Sequence, residues 1–264
     1  MSVFAGQYTA VDDTEDASWF ISFSDSVNAI PEYREVRQSL IGQLGPLEGR
    51  HVLDVGCGPG DDTRELASLA GPAGRVVGVD LSETMLAEAR RRGGPVEFMR
   101  EDVYALSFPD ETFDRVRAKL VRMHLLDIDT ADDQLVRVLR PGGRLAVFDL
   151  DFETLALDHP DRATTRAFQS YWVDHHKQGW CGRQMRRRFM GRGMTDVTIT
   201  PHTMQMSYEM FRRAADGAVA EAVAAGALDS MEEFVRPLAE ADEAGVFFAS
   251  LTGYVLGATR SPAP

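Results

Sequence analysis

Val52-Leu-Asp-Val-Gly-Cys-Gly-Pro-Gly60, with Asp80 following 20 positions later at the end of Val76-Val-Gly-Val-Asp80, is the most constrained stretch of this chain. An apolar run that ends in alternate glycines and opens an amphipathic segment is a buried strand turning tightly into a helix, with backbone close enough to touch a ligand. Gly56, Gly58 and Gly60 supply that approach. A carboxylate at the tip of the next strand, about 20 residues on, is placed to hold a ribose diol. Asp80 fits that role.

The charge at the turn narrows the ligand. A dinucleotide places its pyrophosphate on the helix N-terminus, where backbone N–H groups and the helix dipole favour an anion. Here the helix opens with Asp61-Asp62, and the spacing is G-x-G-x-G, with Asp61 where a dinucleotide loop carries its third glycine. Both features argue against NAD and FAD. S-adenosylmethionine has no phosphate and carries a sulfonium and an ammonium. An acidic collar that includes Asp54 and the Asp61-Asp62 pair is therefore expected to suit it.

Working outward, strands and helices alternate from 50 to 150: strand 51–55, helix 61–70, strand 75–79, helix 83–92, strands 96–99 and 113–117, helix 131–139 and strand 144–149. This predicts a doubly wound α/β fold. Ser82 and Thr130 read as N-caps, and Gly93-Gly94-Pro95 and Pro141-Gly-Gly143 as helix stops. Residues 1–48 read as an N-terminal helical lid, with Pro31 in a first turn and Tyr33, Val36, Leu40, Ile41 and Leu44 on one face. The remainder, 49–264, is expected to be one domain with helical cap insertions at about 155–192 and 207–244. Alternation over 195–204 and 246–258, the latter placing Phe247, Ala249, Leu251, Gly253 and Val255 on one face, predicts an antiparallel pair.

Composition excludes several classes. The chain has 264 residues, 44% of them apolar, enough for one large core. A net charge of -13 opposes the counterion release that drives binding to nucleic acid or an anionic membrane, so neither is an expected partner. Arg186-Arg-Arg188 reads as a solvated helix face. Cys57 and Cys181 make neither a disulfide framework nor a metal-ligand pattern, which suits a reducing compartment. No apolar run reaches the roughly 18 to 20 residues that span a bilayer, and Met1–Gly6 lacks the features of an export signal, so a cytoplasmic protein is expected.

Six pieces in order resemble the class I S-adenosylmethionine-dependent methyltransferases, in particular the small-molecule group related to ubiquinone and menaquinone biosynthesis enzymes. They are Leu53–Gly60, Gly78-Val-Asp-Leu-Ser-Glu-Thr-Met-Leu86, Glu101-Asp102-Val103, Phe113-Asp114, His124-Leu125 and Val138-Leu-Arg-Pro-Gly-Gly-Arg144, within a resemblance running from about 30 to 258. It implies a Rossmann-like, seven-stranded, mostly parallel sheet with an antiparallel last strand and a helical cap. It also implies cofactor contacts at Asp54, Gly56, Cys57, Gly58, Gly60, Asp80, Leu81, Met85, Asp102, Val103, Lys119 and His124. Within these, Asp80 would face the ribose, Leu81 and Met85 the adenine ring, and Asp102 with Val103 its edge. Arg117-Ala-Lys-Leu-Val-Arg-Met-His124 departs from the family, which commonly has a small or amide residue and an aromatic after this strand.

Methyl transfer is an in-line displacement that depends first on alignment, so a dedicated base is optional. Where a hydroxyl acceptor must lose a proton, histidine is the usual base. His124, His175 and His176 are the candidates, the last two on a helix expected to cap the site. Adjacent helical residues point about 100° apart, so no metal site is expected there. Trp19, Phe20, Asp151, Tyr171 and Trp172 are expected to wall the pocket of a small, hydrophobic or aromatic acceptor. The chain is expected to act as a monomer or homodimer in small-molecule, specialised metabolism. A cyclisation or rearrangement on the same scaffold, or a non-catalytic cofactor-binding partner, are the other readings.

Overall fold

The computed structural model describes residues 8–262, so the reading of Met1–Gly6 lies outside the described residues. After a 3-10 turn at Val11–Asp13 come α1 (Ala17–Ala29) and α2 (Pro31–Leu44). The alternating region follows as β1 (His51–Val55), α3 (Asp61–Ala70), β2 (Arg75–Asp80), α4 (Glu83–Arg92), β3 (Glu97–Arg100), β4 (Phe113–Lys119), α5 (Ile128–Arg137) and β5 (Leu139–Leu157). It ends with α6 (Arg162–His175), α7 (Cys181–Gly191), β6 (Met194–Met206), α8 (Tyr208–Ala224), α9 (Met231–Glu243) and β7 (Ala249–Arg260).

The seven strands form one sheet in the order β3-β2-β1-β4-β5-β7-β6, parallel except for β7, which runs antiparallel to both neighbours. Chain order reverses between β1 and β4, and in open α/β sheets ligands bind outside the strand ends at that switch. Strand side chains alternate between faces: Val52, Ala146 and Phe148 pack beneath α2 and α3, whereas Leu53, Leu145 and Val147 pack against α5 and α7. The final strand turns its small face to the first of these cores. A Cβ at Gly253 would lie 2.4 Å from the Phe148 ring, so this position admits only glycine.

Three local expectations are corrected. The fifth helix begins at Ile128, because Asp127 rather than Thr130 is its N-cap: the Asp127 carboxylate accepts from Thr130 N at 3.0 Å. β5 is far longer than 144–149, since Leu139 already pairs with Phe113 across a register shift that absorbs Pro141–Gly143, and its far end pairs with β7 through a second shift. Of the basic run on α7, Arg186 and Arg187 are solvated, but Arg188 binds Asp129 and Asp132 at 2.8 and 2.9 Å.

Within 1–48, α2 is part of the sheet sandwich, with Val36, Leu40 and Leu44 fully buried; the 3-10 turn and α1 are what reach the strand ends. Of the two cap insertions, α6, α8 and α9 join one aromatic core through Phe168, Phe211 and Phe234, while α7 lies on the opposite face of the sheet.

Candidate functional site

A cavity of about 410 Å³ opens over the carboxyl ends of β1, β2 and β4, at the switch point. Its floor is the glycine loop. Gly56 N and Cys57 N both donate to Val79 O, at 2.8 and 3.0 Å, which ties the loop to the tip of β2. Gly56 has φ +68°, and a Cβ there would meet Val121 at 2.3 Å, so glycine is required for packing. Gly58, with φ +51°, differs: a Cβ there meets no atom of the described residues within 4 Å. Gly60 does not line the cavity; it packs under Phe98, 2.6 Å from where its Cβ would lie.

Asp80 ends β2 and lines the cavity. Its two oxygens accept from Gly58 N at 2.9 Å and Ser82 N at 3.0 Å, so one carboxylate spans the loop and the start of α4. Burial raises its pKa despite those donors. Each carboxylate oxygen has a second lone pair, which leaves capacity for ligand hydroxyls. Leu81, Met85, Asp102, Val103 and Tyr104 continue the wall. Asp102 forms an Asx turn through one oxygen, which accepts from Tyr104 N at 2.9 Å.

The expected acidic collar is overturned by its counter-charges. Register places Asp54 of β1 directly beside Arg117 of β4, on one face of the sheet. Arg117 donates to Asp54 at 2.7 Å and to Asp62 at 2.5 Å, and Lys119 Nζ lies 2.6 Å from the same Asp62 oxygen. Asp61 is bound by Arg64 and by Arg92, the latter at 2.8 Å. Burial alone would raise the Asp62 pKa, but Arg117 and Lys119 hold it well below the usual carboxylate range. Asp54 is fully buried beneath the loop and does not line the cavity. What faces the cavity is thus a compensated ion cluster of Asp62, Arg117 and Lys119. Among the described residues Asp62 Oδ1 makes no hydrogen bond, and its counter-charge is Arg37 Nη1 at 3.7 Å.

The opposite wall comes from the N-terminal segment and the loop after β4. Tyr8 stacks on His124 with ring centroids 4.7 Å apart, and Thr9 accepts from Lys177 at 2.9 Å. Phe23, Ser24, Val27 and Asn28 of α1 complete it, with Asn28 accepting from Lys119 at 3.1 Å. Trp19 and Phe20 do not line the cavity: Trp19 stacks on Phe23, and Phe20 is buried against Val11 and Met85.

The cap residues lie elsewhere. Tyr171 and Trp172 belong to the aromatic core, and Asp151 is buried in an ion pair with Arg183. His176 is sandwiched on Phe152, centroids 3.7 Å apart, and donates through Nδ1 to Trp172 O at 2.6 Å; burial lowers its pKa to about 4. His175 stacks on Tyr171. Of the three histidine candidates, only His124 lines the cavity. Among the described residues there is no cluster of three metal-ligating side chains, and no helix is long and apolar enough to cross a membrane.

Beneath His124 sits a second buried network. Arg122, fully buried, binds Asp132 at 2.6 Å and Asp149 at 3.4 Å, and Asp149 accepts from Met123 N, a cavity residue, at 3.4 Å. Burial outweighs Arg122 and raises the Asp149 pKa to about 7. A carboxyl whose folded pKa lies above its unfolded 3.8 contributes stability that is fully present below about pH 4 and lost as pH rises through about 7. Asp149→Asn, which stays neutral, should therefore gain melting temperature relative to the wild type between about pH 5 and pH 8. A difference that is flat across that range would show that Asp149 is ionised throughout.

Three comparisons bear on this geometry. A family model described as a methyltransferase domain matches residues 52–143. An uncharacterized 37.1 kDa protein in transposon TN4556 of Streptomyces fradiae is 34% identical over 256 residues, covering 92% of this chain and 72% of that protein. The ubiquinone/menaquinone biosynthesis C-methyltransferase UbiE of Hahella chejuensis is 36% identical over 128 residues, 46% of this chain and 51% of UbiE, so this chain matches about half the length of that enzyme. In fold, the chain is similar to Haemonchus contortus phosphoethanolamine N-methyltransferase 2 in complex with S-adenosyl-L-methionine, with TM-score 0.55, 19% identity, and coverage of 87% and 53% of the two chains.

Proposed function

Because this chain belongs to the class I S-adenosylmethionine-dependent methyltransferases, with S-adenosylmethionine as its cofactor, we propose that it transfers the methyl group to oxygen, carbon or nitrogen of a small, largely apolar metabolite. The Asp80 carboxylate carries this reading, because it lines the cavity beside the glycine loop with lone pairs left for ligand hydroxyls. Asp62, which also lines the cavity and whose Oδ1 makes no hydrogen bond and meets Arg37 only at 3.7 Å, adds an acceptor for an N–H group at the other end of the ligand. The cofactor's amino-acid tail and ribose have that chemistry. The open space above Gly58, which a Cβ would fill, supports close backbone approach at the same place.

On this reading the chain's residues divide the ligand between them. Asp80 accepts from the ribose hydroxyls, and Leu81 and Met85 cover the adenine. Asp102 and Val103 meet the adenine edge, and Asp62 accepts from the α-ammonium. Lys119 and Arg117 keep Asp62 ionised and fixed. The cofactor supplies an electrophilic methyl on a sulfonium, so alignment of the acceptor supplies much of the rate. His124, which stacks on Tyr8 and lines the cavity, is the candidate to take a proton from a hydroxyl acceptor. The setting we favour is specialised metabolism in the cytoplasm.

Parallel isothermal titration with S-adenosylmethionine, S-adenosylhomocysteine and NAD tests the cofactor assignment: micromolar binding of the first two alone is expected, and binding of NAD alone would overturn it. An acceptor panel followed by product mass and S-adenosylhomocysteine release then separates methyl transfer from cyclisation, which leaves mass unchanged.

A further inference from the structure

The segment Tyr8–Asp13 forms part of the cavity wall through Tyr8, Thr9 and Val11, and Val11 packs on Met85 of the same lining. A cofactor seated at Asp80 would share the cavity with that wall. Asp12 is what fastens the segment down. Its carboxylate accepts from Ser82 Oγ at 2.6 Å, Glu83 N at 2.8 Å and Thr84 N at 3.1 Å. It thereby caps α4 from a position some 70 residues away in sequence, and a charge-assisted cap at a helix N-terminus is the strong form of this contact. Burial works to raise its pKa, but the Ser82, Glu83 and Thr84 donors together outweigh it and bring the pKa down to about 2, so it is ionised at neutral pH.

The contact does not end at the cap. Ser82 also donates its backbone N–H to Asp80, and Asp80 accepts from Gly58 N. Asp12, Ser82, Asp80 and the glycine loop therefore form one hydrogen-bonded chain from the wall to the floor of the cavity. Two further contacts hold the same wall. Val11 is buried against Phe20 and Met85, and Lys177, on the α6–α7 connection, donates to Thr9 from the far side. The segment is pinned at both margins, by a carboxylate on one side and an amine on the other.

We infer that Asp12 is a positioning residue for the cofactor: it latches the N-terminal wall over the site, and opening of this latch sets how fast S-adenosylmethionine and S-adenosylhomocysteine leave. The inference rests on the cofactor reading above. It predicts that the cofactor enters and leaves while the latch is open.

The test is the dissociation rate of S-adenosylhomocysteine, read by stopped-flow tryptophan fluorescence, for which Trp19, in edge contact with the Phe20 of the latch cluster, is a local reporter. Asp12→Ala should dissociate about tenfold faster or more, the loss expected from about 1.4 kcal/mol of broken charge-assisted bonds. Asp12→Asn, which still accepts but carries no charge, should fall between. Ser230→Ala removes the cap of the distant α9, where Ser230 accepts from Glu233 N, and should lower the melting temperature comparably without changing the dissociation rate. A rate for Asp12→Ala within threefold of the wild type, in a folded protein, overturns the inference. Should the wild type bind no S-adenosylhomocysteine at all, the cofactor reading falls instead. The latch is then tested by hydrogen exchange, where Glu83 and Thr84 amides must exchange faster in Asp12→Ala, and equal protection overturns it.

Discussion

Asp80→Ala is expected to weaken S-adenosylhomocysteine binding by about 10- to 100-fold in calorimetry, equivalent to roughly 1 to 3 kcal/mol. Two losses combine. The substitution removes a carboxylate whose spare lone pairs would take the ribose hydroxyls as charge-assisted acceptors. It also frees Gly58 N and Ser82 N, which the carboxylate holds at 2.9 and 3.0 Å, so the glycine loop loses its tie to α4. Asp80→Asn should rescue only in part, because the amide turns an NH2 toward one of those two backbone donors. The raised pKa sets the sign with pH: affinity should fall as acid protonates Asp80, earlier than for an ordinary aspartate. Affinity within twofold of the wild type, in a variant that melts cooperatively, would remove Asp80 from the ribose role.

That residue, and most of the floor, was legible without coordinates because the signals are local. The strand, tight turn and helix of 51–70 and the strand and helix of 75–92 are each specified by neighbours in sequence. Gly56, Cys57, Gly58, Asp80, Leu81, Met85, Asp102, Val103, Lys119 and His124 do line one cavity. What sequence concealed is long-range. Asp12 meets α4 about 70 residues downstream, and Lys177 meets Thr9 across 168 residues. No periodicity encodes either contact. The cap aromatics misled for a different reason: Tyr171 and Trp172 at helical spacing serve a core as well as a pocket, and here Phe168, Phe211 and Phe234 close over that space. The acidic collar misled through omission of its counter-ions. A signal for them existed, since Arg117 and Lys119 stand two apart on a strand, on the same face.

Arg117 is the test of that ion cluster. It is buried and holds Asp54 and Asp62 together, while burial, which disfavours its charge, is outweighed by those two carboxylates, so that its pKa is raised. Arg117→Met keeps much of the volume but leaves two buried carboxylates facing Lys119, a more distant Arg37 at 3.7 Å, and the Thr63 hydroxyl at 2.7 Å. Breaking a buried pair on one side typically costs about 3 to 5 kcal/mol, and here Asp54 would keep only the Thr63 hydroxyl against its buried charge. Urea denaturation near neutral pH should show a loss of that size. Adding Asp54→Asn should recover part of it, since the amide oxygen still accepts from Thr63 and one uncompensated charge is gone. The pH dependence follows from Asp62. Its folded pKa is depressed in the wild type, so its contribution is present above about pH 4 and is lost as pH falls; without Arg117 that contribution shrinks, and the gap between variant and wild type should narrow on acidification. A gap below about 1 kcal/mol at neutral pH would mean that water already reaches these carboxylates, and that Asp62 is not held ready for a ligand by its cations.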